Sequence, residues 1–202
     1  MEIDEYINNL KSDSAAPGGG SASALTSIFS ASLNSMASLL SLKKEKLREN
    51  YGKYNNIVLQ SNKIIDDLKS LMNEDEKNFM DIMDALRISR NDKNRPNKIN
   101  YAVKKSIITS WKIAIRSLIN LENAVYLLYN GNKNLVTDDI TSAYMAYSSI
   151  NASLGNIAIN LGIYKGSEYI FTEKLKIKLF YEESLRIFGM AESYEKDIFK
   201  AL

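Results

Sequence analysis

From Gly52 to Pro96 the chain contains neither proline nor glycine. Along that stretch Leu47, Tyr51, Tyr54, Val58, Ser61, Ile65, Leu68, Met72, Asp75, Phe79, Ile82 and Leu86 follow one another at alternating spacings of four and three. This period fits a single long helix with a coiled-coil-like seam and no strand. From Leu47 to Leu86 it would extend about 60 Å at 1.5 Å per residue. Any fold for this chain must therefore supply partners for a very long apolar stripe. Two members of the stripe are not apolar: Ser61, and the carboxylate Asp75 between Met72 and Phe79.

The remaining segments also read as helices. Ile3, Tyr6, Ile7 and Leu10 share one face of a short opening helix. From Ser21 the larger apolar residues Leu25, Ile28, Phe29, Leu33, Met36, Leu39 and Leu40 keep helical spacing, with serine and alanine between them. A helix that small in cross-section admits close neighbours and is expected to be central. The polar run Ser89–Asn100 reads as a loop. A further helix follows, with Val103, Ile107, Trp111, Ala114, Leu118, Leu121, Val125 and Leu128 on its stripe, and Asn130-Gly131 stops it. Thr137 is the expected N-cap of the next helix, with Asp138 and Asp139 beside its positive end. That helix runs to about Leu161. A turn with Gly162 and Gly166 then leads to a last helix through Leu202. The expected class is all-α, a bundle of long antiparallel helices forming one domain over residues 1–202. A homodimer sharing the long seam is expected to cover it.

Composition removes several kinds of chemistry. The 202 residues include no cysteine and no histidine, which excludes thiolate nucleophiles, cysteine- or histidine-ligated metals and a Ser-His-Asp triad. Proton transfer must use Asp, Glu, Lys, Tyr or water. With 26 basic and 24 acidic side chains the net charge is +2, without the concentrated positive field of a nucleic-acid binder. Ser14–Leu42 is uncharged, but its serine content is too high for a membrane span. The opening segment MEIDEYINNL is acidic and amphipathic, unlike a signal peptide. The chain reads as cytoplasmic, with neither membrane nor nucleic acid as partner.

Four features carry possible chemistry. Pro17, Gly18, Gly19, Gly20 and Ser21 form a loop at a helix start that lacks the Lys-Ser/Thr ending of a phosphate loop. It is a turn or linker, or a place where the backbone approaches an anion or carbonyl closely. Asp75 pairs with a lysine, caps another helix, or is a carboxyl whose affinity for protons is raised by burial. Lys43, Lys44 and Lys46 are a solvated turn at a helix C-terminus, or a site for a carboxylate ligand. Asn156 and Asn160, on one helix face, bond a neighbouring helix or a ligand.

Three segments taken together resemble the formiminotransferase-cyclodeaminase C-terminal family, which comprises a cyclodeaminase domain and stand-alone methenyltetrahydrofolate cyclohydrolases. SAAPGGGSASAL is similar to its proline–triple-glycine–serine loop, and LMNEDEKNFMDIMDALRIS to its aspartate block. GNKNLVTDDITSAYMAYSSINASLGNIAINL is similar to the block that closes on Asn-x-x-x-Asn-Leu. The resemblance implies an all-helical homodimer acting on a reduced folate, with or without a polyglutamate tail that Lys44 and Lys46 would meet, and with no bound prosthetic group. It implies a catalytic role for Asp75 and substrate contacts from Pro17, Gly18, Gly19, Gly20, Ser21, Lys44, Lys46, Asp138, Asn156 and Asn160. The implied reaction is closure of 5-formiminotetrahydrofolate to 5,10-methenyltetrahydrofolate with loss of ammonia, as in histidine degradation. A separate formiminotransferase is then a possible partner. The alternatives are hydrolysis of the methenyl compound to 10-formyltetrahydrofolate, and a non-catalytic helical scaffold of the same fold. The sequence departs from the family pattern at Lys43, Leu47, Asn73, Lys77 and Ser110.

Overall fold

The computed structural model of the chain describes residues 2–200. Six helices account for nearly all of them, with no strand among the described residues: α1 (Ile3–Leu10), α2 (Gly19–Ser41), α3 (Tyr51–Arg87), α4 (Arg95–Asn130), α5 (Val136–Ile163) and α6 (Ser167–Lys200). The last helix was expected to run through Leu202, and Ala201 and Leu202 lie outside the described residues. Helices α2 to α6 alternate in direction. Tyr54 meets the backbone of Asn130 at one end of the α3–α4 pair, and Asn78 meets Thr109 nearer the other. Ser106 meets Asn160 across α4 and α5, and Tyr144 meets Glu195 across α5 and α6. The antiparallel all-helical bundle expected from the sequence is present.

Its centre is α2, but α2 is packed in the opposite sense to a usual amphipathic helix. The small side chains face inward: Ser21, Ala24, Ser27, Ser30, Ala31, Asn34, Ala37 and Ser38 are buried. Of the large residues only Ile28 joins them, while Phe29, Met36 and Leu39 are exposed to 41%, 37% and 49%. Small residues let α3, α4 and α5 close around α2, and their hydroxyls then need partners in a dry interior. A network provides them for several, though the Ser38 hydroxyl has no partner. Ser117 donates to Ser27 at 2.9 Å, and Asn120 donates to the Ser27 carbonyl at 2.9 Å. Asn34 donates to the Asn120 carbonyl at 2.9 Å, and Ser142 donates to the Asn34 side-chain oxygen at 2.8 Å.

The long helix exists, with a rotated seam and a later start. A short 3₁₀ segment, Glu45–Asn50, precedes α3, so Leu47 lies before the helix. The buried line is Tyr54, Ile57, Ser61, Ile64, Leu68, Leu71, Asn78, Ile82 and Ala85, joined by Met72. Phe79 and Leu86 are exposed to 39% and 37%, and Val58 and Ile65 are only half-buried. The polar members of this line hid it from a reading based on large apolar residues. Helices α2 and α4 cover the seam within one chain, through contacts such as Ile64 and Leu71 against Ala24 and Ile113. The buried line of α3 is thus covered within one chain.

Three boundaries also differ. The Ser89–Asn100 loop is shorter, because α4 begins at Arg95 with Pro96 in its first turn, where a missing N–H costs nothing. Thr137 is inside α5 rather than at its N-cap, since a 3₁₀ turn, Lys133–Leu135, leads directly into the helix. Gly162 belongs to α5, while Gly166 alone turns the chain, with φ of +157°.

Candidate functional site

The triple glycine begins α2: Gly18 is the N-cap and the helix starts at Gly19. No side chain of its own caps this end. The acceptor comes from α3, where the Asp75 carboxylate takes a hydrogen bond from the backbone N–H of Ser21. A negative charge at a helix N-terminus is favourable. The approach is so close that a Cβ on Gly20 would collide with both Asp75 carboxylate oxygens. A side chain at Gly20 would displace that carboxylate, whereas Gly18 and Gly19 have open space around them. Asp75 thus caps another helix, one of the readings its place on the stripe allowed.

It also faces a cavity of about 220 Å³ between the start of α2, α3, the first third of α4 and the end of α5. The floor carries Gly18, Gly19, Gly20, Asp75 and Glu76, and Ser106, Asn156 and Asn160 stand opposite. Phe79 and Ile159 form apolar walls, and Ile159 is 75% exposed. Asn160 donates to Ser106 at 3.0 Å, which fixes its amide. Burial pushes the Asp75 carboxyl up to about 6; the Ser21 N–H opposes this and the neighbouring Glu76 charge adds to it. A carboxyl poised there exchanges protons readily near neutrality.

Three segments far apart in sequence therefore meet: the glycine loop, the Asp75 region and the Asn156/Asn160 pair. Pro17 immediately precedes the glycines without lining the cavity. Lys44 and Lys46 are exposed at the opposite end of α2, about 32 Å along the helix from Gly20. Asp138 lies in the first turn of α5, about 27 Å along that helix from Asn156. One chain does not bring these three to the cleft. Glu76, Ser106, Phe79 and Ile159 were missed by sequence reasoning. Glu76 resembled the many exposed acids of α3, and Phe79 was assigned to the core. Among the described residues no group of three or more acidic side chains is arranged to hold a metal ion.

A larger groove of about 540 Å³ between α4 and α6, beside Trp111, Ile115, Leu179 and Phe180, is almost wholly apolar and carries no convergent set of polar groups. The convergent polar groups are in the smaller cleft.

Comparison with known proteins places this all-helical bundle in a family. Residues 2–178 match the formiminotransferase-cyclodeaminase family, to which the chain belongs. It is 22% identical over 160 residues to formimidoyltransferase-cyclodeaminase of Gallus gallus, an alignment covering 77% of this chain and 30% of that protein. Over 164 residues it is 23% identical to methenyltetrahydrofolate cyclohydrolase of Methylorubrum extorquens, covering 78% of each. The crystal structure of formiminotetrahydrofolate cyclodeaminase from Thermotoga maritima superposes with a TM-score of 0.84 at 19% identity, covering 97% of this chain and 94% of that one. That likeness establishes the shared fold.

Proposed function

We propose that the chain is a formiminotetrahydrofolate cyclodeaminase in which Asp75 is the general acid/base. The observation that carries this reading is the convergence of a proton-affine carboxyl, a glycine-lined helix start and two amides, that of Asn160 fixed by Ser106, on one cleft. In the reaction N10 of 5-formiminotetrahydrofolate attacks the formimino carbon and gives up its proton. The formimino nitrogen leaves as ammonia after gaining two protons, one matched by the N10 proton and one from solvent. Asp75 moves protons between these nitrogens, and the cleft holds them in attacking geometry. The cavity is smaller than a drug-sized site, so it would take the reacting bicyclic head rather than the whole folate. Phe79 and Ile159 offer apolar faces to that ring, and Asn156 and Asn160 offer amides to its polar edge.

Methenyltetrahydrofolate hydrolysis is the second reading, favoured by the match to a cyclohydrolase over 78% of that enzyme's own length. The two readings place opposite demands on Asp75. Donation to a leaving amine makes the rate fall as pH rises through about 6. Accepting a proton from attacking water makes it rise through the same value. Side-by-side measurement of ammonia release and methenyl hydrolysis between pH 5 and 8 identifies the reaction. Absence of both, together with no binding of any reduced folate, would leave a scaffold of the same fold.

A homodimer remains part of this proposal on different grounds from the seam. The outward Phe29, Met36 and Leu39 of α2 offer an apolar surface for a second copy. The assigned hold of Lys44 and Lys46 on a glutamate tail also requires a second copy to carry that end of α2 to the cleft. The proposal includes a formiminotransferase as the supplier of the substrate.

A further inference from the structure

The cleft contains a second carboxylate that the proposed chemistry does not use. Glu76 follows Asp75 on α3 and lines the same cavity. Ser21 holds both: its backbone N–H donates to Asp75, and its hydroxyl donates to Glu76 Oε1 at 3.1 Å. The Ser21 hydroxyl is itself oriented, because the Tyr6 hydroxyl donates to it at 3.2 Å. Tyr6 is the only buried residue of α1, although Ile3, Ile7 and Leu10 share its helix and remain exposed. The opening helix is thus attached through a side chain whose polar end reaches the site.

We propose that Ser21 is a clamp holding two adjacent carboxylates in register, and that Glu76, steered through Ser21 by Tyr6, is a positioning residue whose charge keeps on Asp75 the proton that the reaction uses. The surroundings single out Glu76 for this role. From α1 only the Tyr6 hydroxyl approaches, and α2 carries no charged side chain. From α4 the cleft receives Ser106, while Lys105 is paired with Asp81 and Lys112 with Glu74. From α5 it receives the neutral Asn156 and Asn160. Among the described residues, Glu76 is the charged group acting on Asp75.

The proposal rests on Asp75 being the proton-transferring group, but its test does not need folate. The ¹³C resonance of the Asp75 side-chain carboxyl is titrated in the wild type, Glu76→Gln and Ser21→Ala, with circular dichroism to verify folding. Removing a like charge lowers a carboxyl's midpoint. Glu76→Gln is expected to lower that of Asp75 by roughly half to one unit. Ser21→Ala, which frees Glu76 to swing into solvent while leaving the backbone N–H in place, is expected to lower it by less. An unmoved Asp75 midpoint in folded Glu76→Gln overturns the proposal. If that variant does not fold, an unmoved midpoint in Ser21→Ala does so instead. Where turnover is measurable, the pH limb of kcat should move with the midpoint at nearly constant KM. A moved limb with an unmoved midpoint would place Glu76 on the substrate and contradict the positioning role. Inactivity of the wild type with a shifted midpoint would instead count against the folate reading alone.

Discussion

At the scale of single residues, half-buried Asp75 and fully buried Asp139 lie in opposite parts of the bundle, and they allow different predictions. Asp75 faces a cavity, so its substitution should affect chemistry. Asp75→Asn keeps an acceptor for the Ser21 N–H and removes the exchangeable proton, and should lower turnover by about 10²–10⁴. Gly20→Ala should lower turnover at least about tenfold by pushing that carboxylate from its place. Asp139 is 2% exposed in the first turn of α5, has one oxygen without a partner, and faces no cavity described above. Burial, with the Asp138 charge adding to it, pushes its carboxyl up to about 7. A carboxyl held above its unfolded value contributes stability below pH 4, and that contribution is lost as pH rises through about 7. Asp139→Asn should therefore stabilise the protein at pH 8 by on the order of 3 kcal/mol, with far less effect at pH 4. Urea denaturation at the two pH values measures the difference.

At the scale of elements, α2 shows what could and could not be read from the sequence. Its helical period and central place follow from spacing and small side chains. Its orientation did not, because the usual rule directs Phe29, Met36 and Leu39 inward, whereas here close approach of backbones and a serine–asparagine network occupy the inside. The same rule rotated the seam of α3 by one position near its end, since Asn78 is a buried member of it and Phe79 is not. In the site, Asp75 was legible as an acid on an apolar stripe, whereas Glu76 was one charge among many on α3. The α2 packing can be tested. Ala31→Leu forces a large side chain against Ile64 and Leu68 and should cost about 1–3 kcal/mol. Ser142→Ala leaves the Asn34 side-chain oxygen unpaired in the interior and should cost about 1–2 kcal/mol. Chemical denaturation of both variants checks these values.

At the scale of the whole molecule, the fold brings three distant segments to one end of the bundle and leaves Lys44, Lys46 and Asp138 at the other. If a second copy completes the site, replacing Lys44 and Lys46 with alanine should raise KM more for polyglutamylated than for monoglutamyl folate. Equal effects on both would remove the lysines from tail binding. Replacing Phe29 and Met36 with glutamate should produce a monomer in sedimentation velocity if the outer face of α2 is the contact. The central claim concerns the cleft itself, and single-turnover absorbance of the methenyl chromophore tests it most directly. The account predicts that wild type forms that chromophore from 5-formiminotetrahydrofolate with release of ammonia, or consumes it in the hydrolytic reading. Asp75→Asn should do so at least about a hundredfold more slowly. Equal rates in the two proteins, or no change of the chromophore with either substrate in the wild type, would contradict it.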